Sequence, residues 1–499
     1  MNSDAKAPAL LSGLMRPTAF AHPVGELRLL ETHISWVVLT GEFAYKIKKP
    51  VRFNFVDYST LELRRACCEE ELRLNRRLAP ELYLDVVPIV GPPERCTVGR
   101  DGEPIEYAVR MREFDQRSLL ADAMLAGKTS ARHFRDFGRQ LAEFHESLRI
   151  AAPPAGLGTP GQIAKNVGDV FELLRAHAPA SQSKTVAELD TWRREQEQTL
   201  AETFCDRLKS GFVRECHGDL HLGNLLLWND RITAFDGIEF NPSLRWIDVL
   251  SEAAFLFMDL EAERRRDVAY EFLNTYLEVT GDYAGMALLP YYIAYRAAVR
   301  AAVTLLRGGQ VTDAGELAAL RGTAERYLGE ARRWRERPTP WLWIMHGVSG
   351  SGKTAVSSEL AGKHGAIRIR SDVERKRLFG VRGEAPAEAY AESASQATYC
   401  RLEALAETLL AAGFAVIVDA TFLRRAERRR FQDLVERMAV SFKIWACRAP
   451  RDELVRRIEA RRNDASDATL EVLDAQLRTI EPLDEEEAAL SVTCWSTGS

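Results

Sequence analysis

Two short stretches of this 499-residue sequence place residue types at spacings that suit phosphoryl chemistry. Gly347-Val348-Ser349-Gly350-Ser351-Gly352-Lys353-Thr354 fits the pattern G-x-x-x-x-G-K-[ST] in full. Its glycines let backbone N–H groups curl around phosphate oxygens, and the helix that must follow adds partial positive charge at its N-terminus. In that setting Lys353 reaches the β- and γ-phosphates of a nucleotide such as ATP, and the Thr354 hydroxyl serves a Mg2+ ion. The second stretch is His217-Gly218-Asp219-Leu220-His221-Leu222-Gly223-Asn224, which sets Asp219 and Asn224 five residues apart. Twelve residues further on stands Asp236, followed by Gly237. Transfer of a phosphoryl group to an alcohol uses such a set. One carboxylate orients or deprotonates the acceptor hydroxyl, while an amide oxygen and a second carboxylate hold Mg2+ on the phosphates.

Each set needs elements to position it. Around the glycine-rich motif, Trp341 to Met345 is a short apolar run ahead of the loop, and strand and helix patterns alternate to the end of the chain. That order predicts a parallel sheet with crossover helices. A second strand, Ala366 to Arg370, leads into Ser371-Asp372, with Arg375 three residues later. Asp372 there can take the acceptor's proton and Arg375 can hold the acceptor's charge; the plainer alternative is that Asp372 caps the following helix. A third strand, Phe414 to Val418, ends at Asp419, the acid expected beside Mg2+. After a fourth strand, Ser441 to Ala446, Arg457 and Arg461 lie one helical turn apart and can close over the phosphates.

The N-terminal half reads as a strand-rich portion followed by a helical one. The strand runs are His33 to Leu39, Phe43 to Lys48, Tyr83 to Ile89 and Tyr107 to Met111, with a helix at Leu61 to Leu78 and a brief strand at Arg231 to Phe235. Phe43 to Lys48 puts two lysines, Lys46 and Lys48, on one face, and the helix offers Glu69, Glu70 and Glu71 as partners. A lysine on a strand held by a helix glutamate is what phosphate anchoring requires. Lys46 occupies the position expected of that lysine, and Glu71 fits the helix stripe continued by Leu74 and Leu78.

Residues 25–300 resemble the aminoglycoside-phosphotransferase branch of the protein-kinase-like fold, with HGD where protein kinases have HRD. The resemblance implies that Asp219 is the catalytic base, that Asn224 and Asp236 bind Mg2+, and that Lys46 with Glu71 anchors ATP. It also matches Asp248 to a structural aspartate, while His145 reads as a packed helix residue. No G-x-G-x-x-G precedes Lys46; Gly41 is the nearby glycine. Residues 341–499 resemble P-loop kinases of the polynucleotide, gluconate and zeta-toxin type, which implies that Asp372 is the general base and that Arg457 and Arg461 contact ATP phosphates. The two together in one chain resemble bacterial bifunctional aminoglycoside phosphotransferase/ATP-binding proteins.

Composition agrees with a cytoplasmic enzyme of two domains. Hydrophobic residues are 46% and charged residues 28%, ordinary for globular chains, and 67 Lys+Arg against 72 Asp+Glu leave a net charge of −5. That balance speaks against a nucleic-acid coat protein. The basic run Arg424 to Arg430 reads as a solvated helix face rather than a nucleic-acid track. No apolar run is long enough for a membrane span, the N-terminus lacks an apolar leader, and eight scattered cysteines without a CxxC predict free thiols. Pro338 and Pro340 break the helix that precedes them. The expected division is therefore a bilobal, protein-kinase-like α+β domain at 1–337 and a P-loop α/β domain at 338–499. The expected activity is ATP-dependent phosphoryl transfer at two sites to the hydroxyl of a small metabolite. A regulatory nucleotide-binding protein, or a kinase of nucleic-acid 5'-hydroxyls in the second domain, stand as the alternatives.

Overall fold

The structure, a computed structural model, describes residues 3–53, 56–148, 152–381, 386–460 and 469–495. Alternating apolar residues build a six-stranded antiparallel sheet from β1 (Arg28–Glu31), β2 (Ser35–Leu39), β3 (Phe43–Lys48), β6 (Tyr83–Val90), β7 (Thr97–Val98) and β8 (Pro104–Arg112), in the order β1-β2-β3-β8-β6-β7. A small hairpin, β4 (Arg52–Phe53) with β5 (Val56–Asp57), follows β3. In β3 the pleat sends Tyr45 and Ile47 into a core with Trp36, Val38 and Ala108, and Lys46 and Lys48 to the other face. Helix Leu61–Asn75, capped by the Thr60 hydroxyl, brings Glu71 to that second face.

The helical part that follows contains two further small sheets. β9 (Val213–Glu215) pairs with β12 (Trp246–Asp248), and β10 (Leu225–Trp228) with β11 (Arg231–Ala234), both antiparallel. The HGD loop runs between β9 and β10, and Asp236 follows β11, so two hairpin-like elements present both acidic loops. Further along, β13 (Trp341–His346), β14 (Ala366–Arg370), β15 (Ala415–Asp419), β16 (Ser441–Arg448) and β17 (Ser491–Trp495) form a wholly parallel sheet in the order β14-β15-β13-β16-β17. The fifth strand was not foreseen from the sequence, nor was β1. Both lie at an edge of their sheet, and β1 is exposed along its whole length.

The chain packs as two compact units. One comprises Met1–His133, Phe144–Val170 and Glu197–Leu256; the other comprises Phe134–Glu143, Phe171–Gln196 and Phe257–Ser499. The long helix Ala314–Arg335, capped by Asp313, ends ahead of Pro338 as the prolines require. None of the eight cysteines is in a disulfide, and among the described residues no helix is long and apolar enough to cross a membrane.

Candidate active sites

In the first unit, Lys46 Nζ meets Glu71 Oε1 at 2.8 Å and also pairs with Asp236 Oδ1. Of Glu69, Glu70 and Glu71, only the last meets the two lysines. Glu69 pairs with Arg65 at the surface, Glu70 with Arg73 and Arg245, and only Glu71 is fully buried against the lysines. The choice between the lysines dissolves, because Glu71 holds both. Its Oε2 lies 2.5 Å from the Nζ of Lys48, which is completely buried and pairs in turn with Glu239. Glu239 also accepts a hydrogen bond from the Tyr58 hydroxyl at 2.6 Å. Burial opposes the charge on both lysines, but Asp236 and Glu71 around Lys46, and Glu239 and Glu71 around Lys48, outweigh it and lift both well above the usual lysine range. Burial likewise opposes the charge of Asp236 and Glu239, yet the lysines hold both carboxyls below their usual range. Lys46, Lys48, Asp236 and Glu239 are therefore ionised at neutral pH.

The loop bearing Asp236 is clamped from three sides. Asp236 has φ 63°, a left-handed conformation that aspartate tolerates better than most residues. Its N–H donates to the Tyr83 hydroxyl at 3.0 Å, the Gly237 N–H donates to Asn75 Oδ1 at 2.8 Å, and the Ile238 N–H donates to the His217 carbonyl at 2.9 Å. Asn75 Nδ2 in turn donates to the Glu71 carbonyl of its own helix at 2.9 Å.

Asp219 and Asn224 are brought together in the HGD loop. Asn224 Nδ2 donates to Asp219 Oδ2 at 2.9 Å and to the Asp219 carbonyl at 3.0 Å. His221 Nδ1 accepts the Gly223 N–H at 3.0 Å, so its proton sits on Nε2, 3.3 Å from Asp219 Oδ2. Gly218 has φ 90°, and a Cβ there would come within 2.8 Å of the Leu244 carbonyl oxygen, which explains its glycine. The Gly218 N–H donates to Glu252 Oε1 at 2.7 Å, while Glu252 Oε2 holds His145 Nε2 at 2.8 Å. His145 is thus buried in a packing role beneath the loop. Asp248 pairs with Arg207 through both oxygens, at 2.5 and 2.8 Å, and accepts the Leu250 N–H. The oxygen donors of Asn224 and Asp236 are the hard ligands that Mg2+ takes.

In the second unit, the loop from Gly347 to Thr354 joins β13 to helix Lys353–His364. Gly347, Gly350 and Gly352 have φ of 145°, 83° and 90°, and a Cβ at Gly347 would lie 2.5 Å from the Cys447 carbonyl oxygen. The buried Ser351 hydroxyl has no hydrogen-bond partner among the described residues, a polar atom suited to an incoming phosphate. Lys353 Nζ donates to the Val348 carbonyl at 2.9 Å, folded back over the loop, and the Ser349 N–H donates to Gln476 Oε1 at 2.7 Å. Asp419 Oδ2 accepts from Ser357 Oγ at 3.1 Å, beside the Thr354 turn. Thr354 and Asp419 again offer hard oxygen ligands, so the donor set fits Mg2+.

A cavity of about 900 Å³ opens over this loop and is lined by Lys353, Thr354, Asp419, Asp372, Arg375 and Arg457 among others. Arg457 reaches the Gly350 carbonyl at 3.4 Å, while Arg461 lies outside the described residues. Helix Ser371–Leu378 is N-capped at Arg370 without a side-chain hydrogen bond, so Asp372 is not its cap. The basic run also departs from expectation. Arg428 is wholly buried and paired with Glu487 through both oxygens, at 2.8 and 2.9 Å, and Arg424 and Arg430 pair with Glu392 and Glu403. A guanidinium inside a helix pattern gives no sequence sign of burial; its partner is 59 residues away.

The sequence did not single out Glu239, Tyr58, Asn75 or Gln476. Only Glu239 had a local sign, its place three residues after Asp236.

The phosphotransferase enzyme family model matches residues 57–289, and an AAA domain model matches residues 342–483. An uncharacterized protein of Mycobacterium tuberculosis is 32% identical over 471 residues, spanning 92% of this chain and 91% of the relative, and a Mycobacterium bovis protein matches equally. A choline/ethanolamine kinase family protein from Mesorhizobium loti is similar over 65% of this chain and 98% of its own, at 15% identity and TM-score 0.36. A gluconokinase from Sinorhizobium meliloti is similar over 33% of this chain and 86% of its own, at 21% identity and TM-score 0.24. The chain is a phosphotransferase and belongs to the bacterial family that joins an aminoglycoside-phosphotransferase-like kinase domain to a P-loop kinase domain.

Proposed function

We propose that the chain holds two ATP-dependent phosphotransferase sites, one in residues 1–337 and one in 338–499, each passing the γ-phosphate of ATP to a hydroxyl of a small metabolite. In the first, Lys46, steadied by Glu71, anchors the phosphates, Asn224 and Asp236 hold Mg2+, and Asp219 accepts the acceptor's proton. In the second, the Gly347–Thr354 loop cradles the phosphates with Arg457 above it, Thr354 and Asp419 hold Mg2+, Asp372 is the base and Arg375 places the acceptor. Bound Mg2+ would neutralise charge on the transferring phosphoryl group.

One observation carries the reading. Lys46, Glu71 and Asp236 come from three segments distant in sequence and meet within hydrogen-bonding distance, with Asp219 joined to the other expected metal ligand, Asn224. A small acceptor is favoured over a nucleic-acid end because the Arg424 to Arg430 run is engaged by carboxylates rather than laid out as a track. The test is incubation with γ-labelled ATP and a metabolite extract, followed by identification of the labelled product. Asp219→Asn and Asp372→Asn should each remove a distinct share of the label, by about 10²–10⁴-fold, with nucleotide binding retained. Nucleotide binding with no labelled product from any fraction would favour a regulatory protein instead.

A further inference from the structure

Helix Arg266–Thr280 lies within the segment matched to the phosphotransferase enzyme family, yet it packs against the P-loop sheet. The contact is close because two glycines permit it. A Cβ on Gly362 would fall 3.2 Å from the Asp267 backbone, and one on Gly365 would fall 3.3 Å from the Tyr270 ring. β14 is the edge strand of that sheet, and the buried Asn274 completes it. Its Nδ2 donates to the Ala366 carbonyl at 3.1 Å and its Oδ1 accepts the Arg368 N–H at 2.8 Å.

One turn on, Glu278 faces two arginines of β14. Its Oε1 accepts from Arg368 Nη2 at 2.8 Å and Nε at 3.1 Å, and its Oε2 lies 3.5 Å from Arg370 Nη1. Each arginine continues to a different part of the P-loop site. Arg368 Nη1 donates to the Thr354 carbonyl at 3.3 Å, and Arg370 Nε stands 3.8 Å from Asp419 Oδ2. Thr354 and Asp419 are the two residues read above as ligands of Mg2+. All three charged side chains are largely buried, which makes their mutual arrangement costly to change.

We propose that Glu278 is a positioning residue of the P-loop site, supplied by the helix of the other kinase's segment. It fixes the Thr354 backbone through Arg368, and it holds Arg370 back from pairing fully with Asp419. Without the Glu278 charge, Arg370 loses the carboxylate that draws it away from Asp419, 3.8 Å off, and competes there with a metal ion. The P-loop site therefore depends on a helix outside its own fold, and a movement of that helix reaches both metal ligands. This inference rests on the reading of Thr354 and Asp419 as ligands for Mg2+.

The experiment uses the full-length protein and a fluorescent non-hydrolysable ATP analogue, titrated with Mg2+. The component of binding lost in Lys353→Ala reports the P-loop site. Glu278→Gln should raise the Mg2+ concentration for half-saturation of that component by about 10–100-fold, the usual cost of removing a partner behind the ligands. Asn274→Ala, which disturbs the same contact without touching the charges, should leave it within about twofold. Adding Arg370→Gln to Glu278→Gln should bring it back toward the wild-type value. If Glu278→Gln does not fold, Glu278→Asp is read in the same way, with a smaller rise expected. An unchanged Mg2+ requirement in the Glu278 variant, or an equal rise in Asn274→Ala, would overturn the proposal. Absence of any Lys353-dependent binding in the wild type would instead refute the P-loop reading beneath it.

Discussion

The buried pair Lys48–Glu239 allows a quantitative test of how the first site is held together. Lys48 Nζ is wholly buried, lies 2.5 Å from Glu71 Oε2 and pairs with Glu239, which also accepts from the Tyr58 hydroxyl at 2.6 Å. Removing one partner of a buried pair costs about 3–5 kcal/mol, because a charge is left without compensation in a poorly solvated place. The two single variants should differ within that range. In Glu239→Gln, Lys48 keeps Glu71 in contact, so about 3 kcal/mol is expected; in Lys48→Met, Glu239 keeps the neutral Tyr58 hydroxyl and only the weaker pull of Lys46, and Glu71 also loses a partner, so the cost lies nearer about 5 kcal/mol. Lys48→Met combined with Glu239→Gln should cost about 5–6 kcal/mol rather than the additive value of about 8 kcal/mol, a coupling of about 2–3 kcal/mol. Because the chain has two compact units, a single unfolding free energy is not defined. The measurement is native-state hydrogen exchange of the β2 and β3 amides, which reports opening of that sheet alone. Additive single effects, or a Glu239→Gln cost below about 1 kcal/mol, would show that the pair does not hold the sheet to the Asp236 loop.

Three further outcomes are expected. Lys46 and Lys48 are raised by their carboxylates, so the stability they add is present at neutral pH and is lost only as pH climbs through their raised values. Asp236 and Glu239 are lowered, so theirs is lost only as pH falls below the ordinary carboxylate range. Nucleotide affinity at the first site should accordingly be flat between about pH 7 and 9, and a titration with a midpoint near 8 would contradict the ionised network. A fragment of residues 338–499 exposes the β14 edge and the Arg368 guanidinium, so it should melt several degrees below a fragment of 257–499 and aggregate more readily; equal melting temperatures would show that the helix is dispensable. Burial pushes the thiols of Cys67 up to about 11 and of Cys68 and Cys447 up to about 12, whereas Cys400 is exposed at the P-loop cavity. Alkylation at pH 8 followed by peptide mass spectrometry should find Cys400 first, and equal labelling of Cys447 in the folded protein would refute that placement.

What could be read from the sequence was whatever is written locally. The G-x-x-x-x-G-K-T loop requires positive φ at its glycines and a helix at its end, and both are specified by residues within the motif itself. The order of lysine strand, acidic helix, HGD loop and second acidic loop likewise disclosed the bilobal plan, because each piece has its own pattern and the chemistry fixes their roles. Tertiary structure alone decided which charges meet. Glu71 rather than Glu69 or Glu70 pairs with Lys46 and Lys48 because only one of three consecutive helix positions turns to the buried face of β3. Arg428 looked like its exposed neighbours until Glu487 closed over it from 59 residues away. The dependence of β14 on Asn274 and Glu278 was equally invisible, since a sheet edge shows no sign in sequence of what will cover it. Local pattern sets backbone conformation through near neighbours, but the pairing of buried charges is settled only when distant segments exclude water around them.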